Sequence, residues 1–460
     1  MKKIIFTLTY FLILKVAFCQ TYVGGGIYSN TTWTLVNSPY IVTDTVVVFP
    51  GVTLTLEPGV VVKFDDDLYL EIRNATLVAE GNSSDSITFT SNSLTPAAGI
   101  WGGIRLNNSA ASFNFVNVKY ASKGIDGFYS QISFIKNSAF IYNLFGLYTI
   151  DNSSIDSCIF KFNSTGLHYL PSCSLNYCTI SNNTSGIEDA FAGTQINNCS
   201  IDSNQTGSDV SNATYLNCTI SYNQTGIDGP NNTLKYCIIE NNSICGLNLA
   251  GGGHNTDSVI NCAVKFNGIG ITSSTCGGGI VPDGLITQCD IESNTIGLQL
   301  GGCCDVFCNS FCSNSSYDLQ NLNSSPKSVP NNYWCTSDSA TVEVYIYDGY
   351  DNTNLGLVTF MPMDSLLQCS PLITSSINEY PEENMFQIFP NPTTGTFTIL
   401  NIPSNQSSLL QIINSLGEIT GSEKLFGRKE WVVHSTLSSG IYLVRMLVGE
   451  RIIVRKLIIE

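Results

Sequence analysis

The chain has 460 residues, enough for two or three folded units, and carries a formal net charge of -16 with only 12% charged residues. Phosphate binding needs clustered Lys and Arg, so this acidic balance excludes nucleic acid as a partner. Asn, Ser, Thr and Gly stand where charge is missing, and these are residues of turns and short strands.

Residues 1–19 read as an export leader. Lys2 and Lys3 give a positive start, and Ile4 to Phe18 is an apolar run broken only by Thr7, Thr9 and Lys15. Ala17 and Cys19 supply the small side chains ahead of a cut before Gln20. Lipidation at Cys19 needs a small residue before it, and Phe18 is large. No later stretch is apolar for long enough to span a bilayer. These features predict an exported, soluble mature chain.

From Val46 to Phe64 the sequence VVVFPGVTLTLEPGVVVKF alternates as a strand does and breaks at Pro-Gly and Glu-Pro-Gly turns. LEIRNATLVAEG, SITFTSN and GIWGGIRLNNS continue the pattern. Then a repeat takes over. Cys158, Cys178, Cys199, Cys218, Cys237, Cys262, Cys289 and Cys308 recur, and Ser138 holds the same place one unit earlier. Five residues after each, up to Cys289, stands Asn143, Asn163, Asn183, Asn204, Asn223, Asn242, Asn267 or Asn294. Three further on comes Gly146, Gly166, Gly186, Gly207, Gly226, Gly270 or Gly297, with Gly246 displaced by one. Leu or Ile follows the glycine in every unit but one, where it is Ser208.

Such a period fits one turn of a solenoid. The Cys-x-Ile alternation gives a strand with one buried face, on which Cys packs as a small hydrophobe. The asparagine is expected to bend the chain and to hydrogen-bond from coil to coil. A leucine-rich repeat shares part of this pattern but needs a Leu-rich segment after the asparagine, and here that segment is short and polar. The expected fold class is therefore all-β: a right-handed parallel β-helix over residues 20–370, regular over 131–325, with a closing cap over 326–370. The flanking stretches, and NNYWCTSDSATVEVYIYDGYDNTNLGLVTFMP at the far end, resemble the opening and closing coils of secreted, pectin-lyase-like β-helix proteins.

A polar, Pro-containing linker over 371–384 leads to residues 385–460. MFQIFPNPTTGTFTI, LLQIINSLGEIT and LSSGIYLVRMLVGERIIVRKLIIE form short β-rich runs separated by turns, the pattern of a small β-sandwich. This segment is similar to the type A C-terminal sorting domain of the Bacteroidetes type IX secretion system, on Pro390, Asn391, Pro392, Gly395, Gly417, Gly440, Tyr442 and Lys456. The resemblance implies recognition by the outer-membrane translocon, removal of the domain, and attachment to the cell surface or release.

Losing Cys19 with the leader leaves an even number of cysteines in an exported chain, which suggests disulfides. The column cysteines read either as stacked thiols or as serial bridges. Cys335 and Cys369 bracket the closing segment and are the expected bridge. Cys303, Cys304, Cys308 and Cys312 have metal-ligand spacing, but no second ligand pair follows them.

Two residues after each repeat glycine the side chain should face solvent. That column reads Tyr148, His168, Glu188, Asp209, Asp228, Asn248, Thr272 and Gln299. Glu188, Asp209 and Asp228 on successive coils would repel one another, and calcium, which takes carboxylate oxygens, is the candidate cofactor between them. Two longer coils add NLAGGGHNTDSV and SSTCGGGIVPDG beside this stripe, with His254, Asp257 and Asp283 as their titratable residues. A plain polar strand face with two tolerated insertions accounts for the same residues.

No arginine occurs between Arg105 and Arg428, and no nucleophile triad or phosphate loop is visible. The expected function is glycan binding or adhesion at the cell surface. The alternative is a polysaccharide lyase or glycoside hydrolase, with Glu188, Asp209 and Asp228 as its acids.

Overall fold

The computed structural model describes residues 20–190, 193–249, 257–273, 284–302, 304–364, 386–400, 408–414, 419–425, 430–434, 437–448 and 451–459. The expected leader 1–19 and expected linker 371–384, together with His254, Asp283, Cys303, Cys369 and Gly417, lie outside them. The chain divides into two units, Met1–Pro371 and Leu372–Glu460.

The first unit is a parallel β-solenoid of about 13 turns. A regular coil has three short strands, as in Ser154–Asp156, Ile159–Lys161 and Thr165–His168. The first joins a 13-stranded parallel sheet, and the other two join a larger parallel sheet. Register is strict: Ile155 lies opposite Leu175, Phe160 opposite Ile180, and Leu167 opposite Ile187. A strand's side chains alternate between faces, so strict register keeps the same positions inside on every coil. All of these residues are fully buried.

The asparagine row forms a continuous hydrogen-bonded ladder. The Asn163 backbone N–H donates to Asn183 Oδ1 at 2.9 Å, and its Nδ2 donates to the same oxygen and to Phe140 O, each at 3.0 Å. The pattern runs from Asn143 through Asn294 and continues to Asn314, whose Nδ2 ends on Asp318 Oδ1 at 2.7 Å. The bend is not on these asparagines, as the sequence had suggested, but one residue earlier. Tyr142, Phe162, Asn182, Ser203 and Tyr222 hold the left-handed conformation, with Phe162 at φ 57°. The asparagine has to remain turned inward to bond along the axis, so its neighbour makes the turn. Left-handed geometry costs a non-glycine residue roughly 1–2 kcal/mol. Stacking offsets part of this at Tyr120, Tyr142 and Phe162, whose rings follow one another at 5.7 and 5.1 Å.

The repeat glycines answer to crowding between coils. A Cβ on Gly166 would lie 2.6 Å from the carbonyl oxygen of Gly186, and one on Gly246 would lie 2.7 Å from that of Gly270. The Ser208 exception also has a cause. Its hydroxyl lies 2.7 Å from the hydroxyl of Tyr215, which is fully buried in the core, so one polar pair replaces an aliphatic one.

The column cysteines Cys158, Cys178, Cys199, Cys218, Cys237, Cys262 and Cys289 are free, buried thiols. Each approaches backbone carbonyls, as Cys218 does at Ile196 O (3.2 Å) and Leu216 O (3.5 Å). Burial holds the Cys262 thiol well above its usual pKa, and at Cys178 the hydrogen bond with the Cys158 thiol, together with burial, acts in the same direction. Two expectations need correction. Cys308 is not in the column: it occupies the left-handed position at φ 57° and is disulfide-bonded, while Asn309 takes the inward place and donates through Nδ2 to Asn332 Oδ1 at 3.0 Å. Cys335 is bridged to Cys312, with Cα atoms 5.5 Å apart, and so is not available to Cys369. Trp334, next to Cys335, stacks on Phe311 at 4.8 Å, and the bridge pins this closing segment to the last coils.

The second unit has a three-stranded and a four-stranded antiparallel sheet, consistent with a β-sandwich. Phe397, Ile399, Leu410, Val444, Met446 and Leu457 are among its core residues. Among the described residues no helix is long and apolar enough to cross a membrane.

Candidate functional site

The strands that follow each ladder asparagine place one side chain per coil in a single row. Backbone register puts Asp126 beside Tyr148, then His168, Glu188, Asp209, Asp228, Asn248, Thr272, Gln299 and Gln320. Asp209 is exposed and the others are partly exposed. The chemistry changes along the row, from aromatic through acidic to amide.

At the aromatic end, Lys123 Nζ pairs with Asp126 Oδ2 at 2.9 Å and lies 3.6 Å from the centre of the Tyr148 ring. The other face of Tyr148 stacks on His168 at 4.7 Å with the rings 5° from parallel. Phe145 meets both edge-on, at 5.1 and 5.3 Å. His168 Nε2 lies 3.4 Å from Asp189 Oδ2, while its Nδ1 and Asp151 Oδ1 are buried without a partner. Lys123, Asp126, Phe128, Tyr129, Tyr148, Asp151, His168 and Tyr169 contribute to the lining of a surface hollow of about 470 Å³. Tyr148 and His168 stand in the expected column. Lys123, Asp126, Asp151 and Asp189 were missed, although Asp126 sits two residues after Gly124, the offset that defines the column.

In the acidic stretch, Glu188 Oε2 accepts from Thr165 Oγ1 at 2.9 Å, and Asp228 Oδ1 accepts from Asn248 Nδ2 at 2.8 Å. Partial desolvation, then the carboxylates of Asp228, Asp189 and Glu188, raises the Asp209 pKa above the usual range. The carboxylates stand one per coil, and among the described residues no three His, Cys, Asp or Glu side chains gather as a metal site. Further along, Gln299 Nε2 donates to Gln320 Oε1 at 3.0 Å.

Asp257 does not belong to this face. It is 5% exposed and accepts the backbone N–H of Asn232 through Oδ1 at 2.8 Å. Asn232 bonds Ala213 N–H in the same way at 2.9 Å, so Asp257 is a rung of a second, shorter ladder. A rung has to point inward, which is why this loop acid is buried. Burial raises its pKa to about 6.

The solenoid and its one-sided polar row define the class, a parallel β-helix protein with a separate C-terminal domain. Two matches sharpen this: residues 25–125 match the family described as pectate-lyase like beta helix domain, and residues 387–460 match the secretion system C-terminal sorting domain. The chain thus ends in a type IX sorting domain, which indicates export and a cell-surface or secreted location. No curated protein matches the sequence. Among solved structures, the A-module of the Azotobacter vinelandii mannuronan C-5 epimerase AlgE4 is similar at 14% identity and TM-score 0.32, over 75% of this chain and 89% of that one. A tailspike protein, gp49 of Acinetobacter baumannii bacteriophage Fri1, described as a capsular polysaccharide depolymerase, is similar at 11% identity and TM-score 0.30, over 89% of this chain and 73% of that one. At such scores the likeness assigns no activity.

Proposed function

We propose that this is a glycan-binding or adhesive protein of the cell surface or medium, and that the glycan lies along the row from Asp126 to Gln320. The observation that carries the reading is the unbroken register of hydrogen-bonding side chains, one per coil, beginning at the Tyr148–His168 hollow. Carboxylates, amides and hydroxyls at a fixed repeat suit a polymer of hydroxyl groups, and exposed aromatic edges border the sugar at one end. Charge narrows the ligand. Glu188, Asp209 and Asp228 repel a polyuronate, so a neutral or amine-bearing polysaccharide fits directly, and a uronate polymer fits only with calcium bridging the two sets of carboxylates.

A second reading, a carbohydrate-active enzyme, is favoured by one feature. Lys123, Asp126, Tyr148, Asp151 and His168 put groups able to give and take protons around one hollow, with Asp189 beside His168. Incubating the exported protein with neutral, amine-bearing and uronate polysaccharides, with and without calcium, separates the readings. Retention of a polysaccharide of unchanged chain length supports binding. New chain ends that disappear in a His168→Ala variant would establish the enzyme instead.

A further inference from the structure

The turn after the Gln387–Phe389 strand carries Pro390, Asn391 and Pro392. Prolines have no N–H to give to a sheet, so the backbone cannot extend the pairing there. The Asn391 side chain does so instead. Its Nδ2 donates to Lys456 O at 2.6 Å, and its Oδ1 accepts the Ile458 N–H at 2.9 Å. A residue in a parallel ladder makes this pair of bonds, one to each side of the residue opposite. The carboxamide therefore acts as a peptide group facing Leu457. The seam continues at Thr393, whose N–H donates to Ile458 O at 2.9 Å and which bridges in parallel to Ile459. Thr393 is fixed in turn by its own hydroxyl, which donates to Thr396 O at 2.8 Å and accepts from Gly395 N–H at 3.2 Å.

What this seam covers is an edge. Arg451–Ile459 is the outermost strand of the four-stranded sheet, paired on its inner side with Gly440–Val448. It is long and rich in Ile, and an open edge of that kind invites pairing with other chains or fraying. We propose that Asn391 is a positioning residue of the sorting domain. Its side chain closes the outer edge of the last strand, and export depends on that closure rather than on contact between Asn391 and the secretion machinery. Asn391 lies within residues 387–460, which match the sorting family; the geometry gives it this task.

The test uses the full chain in a host that has the secretion machinery. Surface delivery and hydrogen exchange at the Ile458 amide are measured for Asn391→Ala, Asn391→Asp, and Asn391→Ala combined with Thr393→Cys and Ile459→Cys. Loss of the carboxamide is expected to speed exchange about tenfold and to stop most delivery. The aspartate keeps the shape but sets an acceptor against the Lys456 carbonyl, and it is expected to fail similarly. The cysteine pair, placed where the strands already bridge, restores both. Delivery should track protection across the set. A variant protected like the wild type but not delivered, or unprotected yet delivered, overturns the proposal.

Discussion

Ser208 is the one polar residue in a row otherwise filled by Leu and Ile, and its partner is the fully buried Tyr215 hydroxyl. Removing one member strands the other away from water. Ser208→Ala is expected to destabilise the solenoid by about 1–3 kcal/mol, the cost of an unsatisfied buried hydroxyl. Adding Tyr215→Phe should recover most of that loss, because neither hydroxyl is then left behind. Midpoints of chemical denaturation for the two single variants and the double variant check this. Additive losses would show that the two hydroxyls do not depend on one another. The Ser208 exception was legible in the sequence, but its partner was not. Tyr215 lies on the next strand along the chain, the first of the following coil, and only the inward direction of both side chains brings the two together.

At the level of an element, Asp257 occupies a rung where Asn232 shows what the ladder prefers. The folded state holds the Asp257 proton more tightly than the unfolded chain does, since the pKa rises to about 6 from the ordinary carboxylate value. Its contribution to stability is therefore present below about pH 4 and is lost as pH rises through 6. Asp257→Asn supplies a rung that does not ionise. The variant should melt higher than the wild type at about pH 8 and show little difference at about pH 4. Equal pH dependence in both proteins would remove Asp257 from the account. The ladders show where the sequence can be read and where it cannot. Asn143 to Asn294 were visible because one residue type is stacked coil on coil, and the hydrogen bonds demand that type. The left-handed corner was invisible because Tyr142, Phe162, Asn182 and Ser203 all serve there. Cys308 misled because it stands next to Asn309, the residue that continues the inward column. The Cys312–Cys335 bridge was out of reach because spacing does not fix connectivity when several cysteines lie close together.

On the scale of the molecule, the solenoid turns a short repeat into a long, one-sided surface, and the type IX sorting domain takes that surface out of the cell. Strict register makes the row of side chains a property of the whole rod, since a slip of one residue on any coil would turn its row residue inward. The column from Tyr148 to Gln299 could be written down from the repeat alone. The hollow that begins it could not, because Lys123 and Asp126 sit on a coil that lacks the cysteine and asparagine marks and therefore fell outside the aligned units.

The measurement that bears most directly on the proposed function is where along the rod the polysaccharide is held. Once a retained polysaccharide is found, its affinity is compared for the wild type, for Tyr148→Ala, Asp228→Ala and Gln299→Ala along the row, and for Lys235→Ala on the exposed face of the 13-stranded sheet. Each row variant is expected to weaken binding by roughly tenfold, in line with one lost hydrogen bond or ring contact, while Lys235→Ala leaves it unchanged. Binding that survives all three row substitutions, or that falls with Lys235→Ala, would contradict the account.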